Sequence, residues 1–159
     1  MKKGLVGTLG FLLGAAGAAA GVSYLRGQEI EQKTKKVDKF KGYYNMLNQW
    51  LILKQEGRNL SEYFEKNNYK KIAIYGMGEM GNRLYDELKK TSIEIVYAVD
   101  KSAASTYSEL DVYDPEDCEY KDADCIVITA TFAFDEIEEK LEEIVGFPIV
   151  SLEDVVYEI

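Results

Sequence analysis

Lys71-Ile72-Ala73-Ile74-Tyr75-Gly76-Met77-Gly78-Glu79-Met80-Gly81 is the stretch whose reading decides the fold. Its first five residues are β-type and contain no turn former. They run straight into a G-x-G-x-x-G loop at Gly76 to Gly81. Residues 82–90 then read as a helix, with Leu84 and Leu88 four apart on one face. Ile93 to Val99 reads as a second apolar strand that ends at Asp100, 19 residues beyond Gly81. Strand, glycine loop, helix, strand and terminal acid in this order predict a βαβ unit with parallel strands.

Each residue type has a physical reason. Gly76 permits the tight turn off the strand. Gly78 lacks a side chain, so a pyrophosphate can approach the backbone, and Gly81 lets the helix pack closely on the strand. The helix N-terminus offers free N–H groups and a partial positive charge to phosphates. Asp100 can accept hydrogen bonds from both ribose hydroxyls, which favours NAD over NADP, and Lys101 beside it weakens that preference slightly. The candidate binding residues of the loop are therefore Gly76, Met77, Gly78, Glu79, Met80 and Gly81, with Asp100 and Lys101 at the second strand. Glu79 repels a phosphate unless its side chain points outward. Asn82-Arg83 stands where a Walker A loop needs Lys-Ser/Thr, so the loop is not of that kind.

Downstream, Leu110 to Tyr113 reads as a short third strand, and Asp114-Pro115 as a helix start with Asp114 capping. Cys125-Ile126-Val127-Ile128 is a continuous apolar run of the kind found in buried parallel strands. It ends at Thr129-Ala130-Thr131, placing Thr129 and Thr131 near a nucleotide crevice, where their hydroxyls could contact ribose or phosphate; alternatively Thr131 caps the next helix. Phe134 to Val145 is amphipathic, with Ile137, Leu141 and Ile144 facing one way. Pro148-Ile149-Val150 makes a last strand, and Ser151 opens a final short helix. The prediction is an α/β fold, a parallel sheet of about five strands in the order 3-2-1-4-5. Tyr85 and Lys89 form a Tyr-x-x-x-Lys pair, but both fall on the first helix and read as coincidence.

The N-terminal half reads differently. Gly4 to Leu25 carries no charge and has the length of a membrane-spanning helix. Gly7, Gly10, Gly14, Gly17 and Gly21 form one stripe, with GxxxG pairs that suit self-association or docking on another membrane helix. Arg26, Lys33, Lys35, Lys36, Lys39 and Lys41 crowd the following flank, which places the C-terminal side in the cytoplasm. The alternative is a cleaved signal peptide, with Lys2-Lys3 ahead of the apolar run and Ala18-Ala19-Ala20 as the cleavage site. Gln28 to Gln55 reads as a helix with Val37, Phe40, Tyr44, Leu47 and Leu51 as its apolar face and Gly57 as its stop. Asn59 to Glu62 reads as a capping box, after which Tyr63 and Phe64 face inward. The expected division is an anchor at 1–27, connecting helices at 28–68 and a nucleotide-binding domain at 69–159.

Charge follows the same division. Through Lys71 there are 13 Lys/Arg against 6 Asp/Glu; from Ile72 onward there are 6 against 22. The basic part suits an anionic lipid surface. The acidic part argues against nucleic acid, whose affinity depends on Lys and Arg meeting phosphates. With no histidine and only Cys118 and Cys125, the usual metal sites and the Ser-His and Cys-His pairs are excluded. No catalytic residue and no metal ligand is assigned, and Cys125 reads as a small core residue.

Ile72 to Asp100 resembles the first βαβ unit of the NAD(P)-binding Rossmann superfamily. The loop is similar in style to that of potassium-transport regulatory (RCK-type) domains. More broadly, Tyr43 to Ile159 is similar to short Rossmann-like modules of bacterial surface-polysaccharide and glycosyltransferase clusters, on the strength of Tyr69 to Leu84 and Ile149 to Val156. The resemblance implies binding of NAD(P) or a nucleotide-sugar near a membrane-bound pathway, at Gly76, Gly78, Gly81 and Asp100. The functional expectation is a membrane-anchored cytoplasmic binding module, an accessory or sensor subunit rather than an enzyme. Three alternatives are a partner-dependent sugar-nucleotide oxidoreductase or epimerase, a non-binding membrane scaffold, and an RCK-like transport regulator.

Overall fold

The computed structural model describes residues 3–105 and 109–159, with side chains from Gln28 onward. The glycine stripe and the apolar anchor expected over 4–25 concern side chains outside the described residues. Among the described residues no helix is long and apolar enough to cross a membrane. The chain forms two compact units, Met1–Tyr43 and Tyr44–Ile159.

A single helix, α1, runs over Lys3–Gln55 and is followed by α2 at Ser61–Lys66. The sheet unit continues as β1 (Lys71–Tyr75), α3 (Glu79–Leu88), β2 (Glu94–Val99), β3 (Val112–Tyr113), β4 (Cys125–Ile128), α4 (Phe134–Glu142), β5 (Ile149–Ser151) and α5 (Leu152–Tyr157). The five strands make one parallel sheet in the order β3-β2-β1-β4-β5. This is the order the sequence predicts. β1 is central because its residues are apolar enough to be covered on both faces: Ile72, Ala73 and Ile74 are wholly buried. One face packs Ala73, Tyr75, Tyr97, Val99, Ile126 and Ile128 against Tyr120 and, from α4, Leu141. The alternate residues Ile72, Ile74, Ala98 and Val127 point to the opposite face. Asp124 sets the start of the register. Its Oδ2 accepts from the Lys70 and Lys71 N–H groups at 2.7 and 2.8 Å, and these bonds, Lys71's foremost, hold its carboxyl below the usual range.

The ends of the first helices follow the sequence closely. Gly57, with φ +76, closes α1, and the Gly57 and Arg58 N–H groups return to the Lys54 and Leu53 carbonyls. Asn59 Oδ1 accepts from the Ser61 N–H while Glu62 Oε1 accepts from the Asn59 N–H, so both residues engage the start of α2, although Leu60 takes the N-cap and the full capping box does not form. Tyr63 and Phe64 are buried. At the other end of the chain, Ser151 Oγ caps α5 by accepting from the Glu153 N–H. Cys125 is wholly buried in β4, its thiol pushed up to about 12 by burial, and both cysteines are free.

Three expectations are corrected. The stripe read as the apolar face of α1 is exposed: Val37 (62%), Phe40 (68%), Tyr44 (70%), Leu47 and Leu51. Met46, Trp50 and Leu53 are buried instead. They form a second stripe at three-and-four spacing, and polar anchors select it. Glu87 of α3 accepts from Trp50 Nε1 at 2.7 Å and from the Leu60 N–H at 2.8 Å, and pairs with Lys54 Nζ at 3.1 Å. Second, no helix follows Asp114-Pro115. Asp114 Oδ1 does accept from the Glu116 N–H. The acidic residues beyond it offer no apolar face, and Tyr120 and Asp122 adopt positive φ. Third, Ile144 is 61% exposed, because α4 ends at Glu142 before its stripe completes another turn.

The Glu87 side chain is only 8% exposed and serves three partners at once. Glu87→Ala is expected to destabilise the chain by about 3 kcal/mol in chemical denaturation, against less than about 0.5 kcal/mol for Glu94→Ala on the surface.

Candidate functional site

The β1–α3 connection leaves the C-terminal edge of the central strand. Beside it, between β1 and β4, the strand order reverses, and crevices in open α/β sheets form at such a point. Gly76 takes φ +99, which side-chain-bearing residues rarely adopt. A Cβ there would also lie 2.7 Å from Thr129 Oγ1. Gly81 sits in the first turn of α3, where a Cβ would lie 2.0 Å from the Gly76 carbonyl oxygen. The helix thus touches the strand end backbone to backbone. Two of the three glycines are required by the chain's own geometry.

Gly78 is different. It is exposed, has φ −70, and a Cβ there would meet nothing within 4 Å. It occupies the N-cap of α3 without a side-chain cap, and the first intrahelical bond runs from the Asn82 N–H to the Gly78 carbonyl at 3.0 Å. The amides of the first turn therefore have no partner within the helix.

Three side chains hold the loop, and their roles were not foreseen. Asp100 Oδ2 accepts from the Met77 N–H at 2.7 Å, and Oδ1 accepts from the Ser102 N–H at 2.7 Å. Thr129, 3% exposed, has its hydroxyl 2.6 Å from the Gly76 carbonyl, to which it donates. Asn82 Nδ2 donates to the Met77 and Gly78 carbonyls at 2.9 and 3.0 Å. The expected site residues thus divide by position. Gly76, Gly78, Glu79, Gly81, Asp100 and Thr129 converge on the end of β1. Met77 is buried beneath the loop, 3.5 Å at its sulfur from the position of a Gly81 Cβ, and Met80 is half-buried on α3. Glu79 is exposed in the first turn of α3. Lys101 is exposed and lines a cavity of about 350 Å³ with Asp114, Pro115, Glu116 and Asp117. Thr131 begins a 3-10 turn after β4, is half-buried, and does not cap α4. The signal for the clamps lay in residue type: small polar groups at strand ends next to a glycine turn are the available partners for its stranded backbone groups.

A family model described as C2185-like, N-terminal, matches residues 68–148. The chain belongs to this C2185-like family. The matched span runs from just before β1 through α4 and so contains the whole glycine loop and all of its clamps. No curated protein and no solved structure matches the chain.

The two kinds of glycine separate in a stability measurement. Gly81→Ala is expected to destabilise by about 2 kcal/mol or more, because backbone must move. Gly78→Ala is expected to cost less than about 1 kcal/mol, the scale of an N-cap change. Thermal unfolding of both variants reads the contrast directly.

Proposed function

We propose that this C2185-like chain is a membrane-anchored, cytoplasmic nucleotide-binding module, with NAD as the ligand of the glycine loop. NADP or a nucleotide-sugar would use the same loop amides. The observation that carries the reading is Gly78. Gly76 and Gly81 are explained by contacts within the chain, whereas nothing within 4 Å of Gly78 calls for a glycine. Its bare backbone caps a ten-residue helix whose first-turn amides face away from their own helix. A phosphate needs such a surface.

Further support comes from Asp100. Its carboxylate is already oriented by the Met77 and Ser102 amides, and each oxygen keeps a lone pair for a ribose hydroxyl. Its charge opposes a 2′-phosphate, which favours NAD over NADP. Anchoring through residues 4–25 rests on their uncharged length and on the basic flank from Arg26 to Lys41. The glycine stripe would join the anchor to a second copy or to a membrane-protein partner. A place in surface-polysaccharide synthesis rests on the resemblance of Tyr69 to Leu84 and Ile149 to Val156 alone. The reading is of binding without turnover.

The test is ligand-dependent thermal stabilisation of the full chain in detergent, with NAD, NADH, NADP, UDP-sugars and cyclic dinucleotides. A ligand at 100 times its Kd adds about 2.7 kcal/mol, a rise of several degrees for a chain this size. NAD is expected to give that rise in the parent chain and none in Gly78→Val. A well-folded chain that responds to no member of the panel refutes the proposal.

A further inference from the structure

A second cavity, of about 470 Å³, lies between the β2–β3 edge of the sheet and the segment 117–122. Its volume is in the range of small-molecule sites. It exists because the β3-to-β4 connection crosses the sheet without a helix, so that Tyr120, rather than the side chains of a packed helix, covers this part of the sheet. None of Gly76, Met77, Gly78 and Asp100 lines it, so it is not an extension of the glycine loop.

Three rings wall the cavity: Tyr97 of β2, Tyr113 of β3 and Tyr120. Tyr97 and Tyr113 meet edge to face with centroids 6.2 Å apart. Tyr120 Oη donates to the Pro115 carbonyl at 3.2 Å, so its hydroxyl is engaged. Tyr97 is only 8% exposed, and its hydroxyl is buried without a hydrogen-bond partner. Buried polar groups are satisfied in nearly all native structures, so an orphan hydroxyl on a ring that lines a cavity points to a partner that enters there.

The charges of the lining narrow that partner's chemistry. Asp117, Glu119 and Asp122 outnumber Lys71 and Lys121, which disfavours a phosphate or carboxylate. Lys121 is already paired with Glu119, and Lys71 lies 4.0 Å from Glu94. The remaining groups are a phenolic donor, aromatic faces, and acceptor carboxylates. A sugar ring offers their complement: an apolar C–H face for a tyrosine ring and a rim of hydroxyls that both donate and accept. We propose that this cavity binds the ring of an uncharged sugar, with the Tyr97 hydroxyl bonded to one of its oxygens and Tyr113 against its face.

Saturation-transfer NMR on the full chain in detergent tests this, with glucose, galactose and N-acetylglucosamine as probes and choline and inorganic phosphate as controls. At least one sugar is expected to receive saturation, and neither control. Tyr97→Phe deletes only the unpartnered oxygen, so the fold should survive; the sugar signal is expected to fall at least fivefold. Tyr113→Ala, at a ring 43% exposed, should act likewise and provides the reading if Tyr97→Phe unfolds. Gly78→Val should leave the sugar signal intact, which separates this site from the proposed nucleotide loop. No saturation of any sugar by the folded chain, saturation of choline alone, or an unchanged signal in both tyrosine variants overturns the proposal.

Discussion

The backbone of α3 rests directly on the end of β1, and the geometry of the glycine loop depends on that contact. At Gly81 there is room for a hydrogen and nothing larger, since a Cβ would fall 2.0 Å from the Gly76 carbonyl. The close approach dictates where the helix starts, and hence where its unpaired amides lie relative to the sheet edge. It also forces Gly76 into its left-handed turn. Such a turn strands backbone groups, and Asp100, Thr129 and Asn82 engage them. Residues from the ends of β2, β4 and α3 are thus tied to one loop after β1. The three strands cannot shift relative to one another without breaking a clamp.

Much of this was legible because it is local or periodic. The β1–loop–α3–β2 order was written in consecutive residues, and the apolar runs of β4 and β5 completed a sheet with the strand order of a doubly wound fold. The capping residues Asn59, Glu62 and Ser151 and the stop at Gly57 act within a few positions of themselves, so their roles could be read without tertiary knowledge. The sequence reading assigned the three loop glycines different tasks, a tight turn at Gly76, phosphate approach at Gly78 and close packing at Gly81. The distances show that the fold itself requires Gly76 and Gly81 and makes no such demand at Gly78.

What was not legible involved choices between faces. The C-terminal half of α1 carries two apolar stripes, and periodicity cannot rank them. The inward stripe is chosen by Glu87, 37 residues beyond Trp50, whose carboxylate gathers an indole N–H, a backbone N–H and an ammonium group. The sequence presents Glu87 as one more surface acid on an amphipathic helix. Likewise Asp114-Pro115 has the composition of a helix start, but a start without an apolar face behind it has nothing to bury and forms only a turn. The same missing helix produced the cavity beside Tyr97. Asp100 and Thr129 lie beside the glycine loop, and their partners there are the loop's own backbone groups, a non-local bond that spacing cannot reveal.

A part of the chain with 22 acidic and 6 basic residues is an unpromising host for a phosphate if attraction depends on net charge. The loop geometry offers another basis. The amides at the start of α3 are neutral dipoles that act over short range, and a glycine at the cap permits the approach that makes them effective. Glu79 and the surrounding acids raise the barrier to any anion that cannot come that close. Under these conditions recognition would depend on fit to the backbone, and bulk anions would be turned away by the same acids. An exposed glycine with no neighbour inside 4 Å would then matter more to binding than any lysine on the domain.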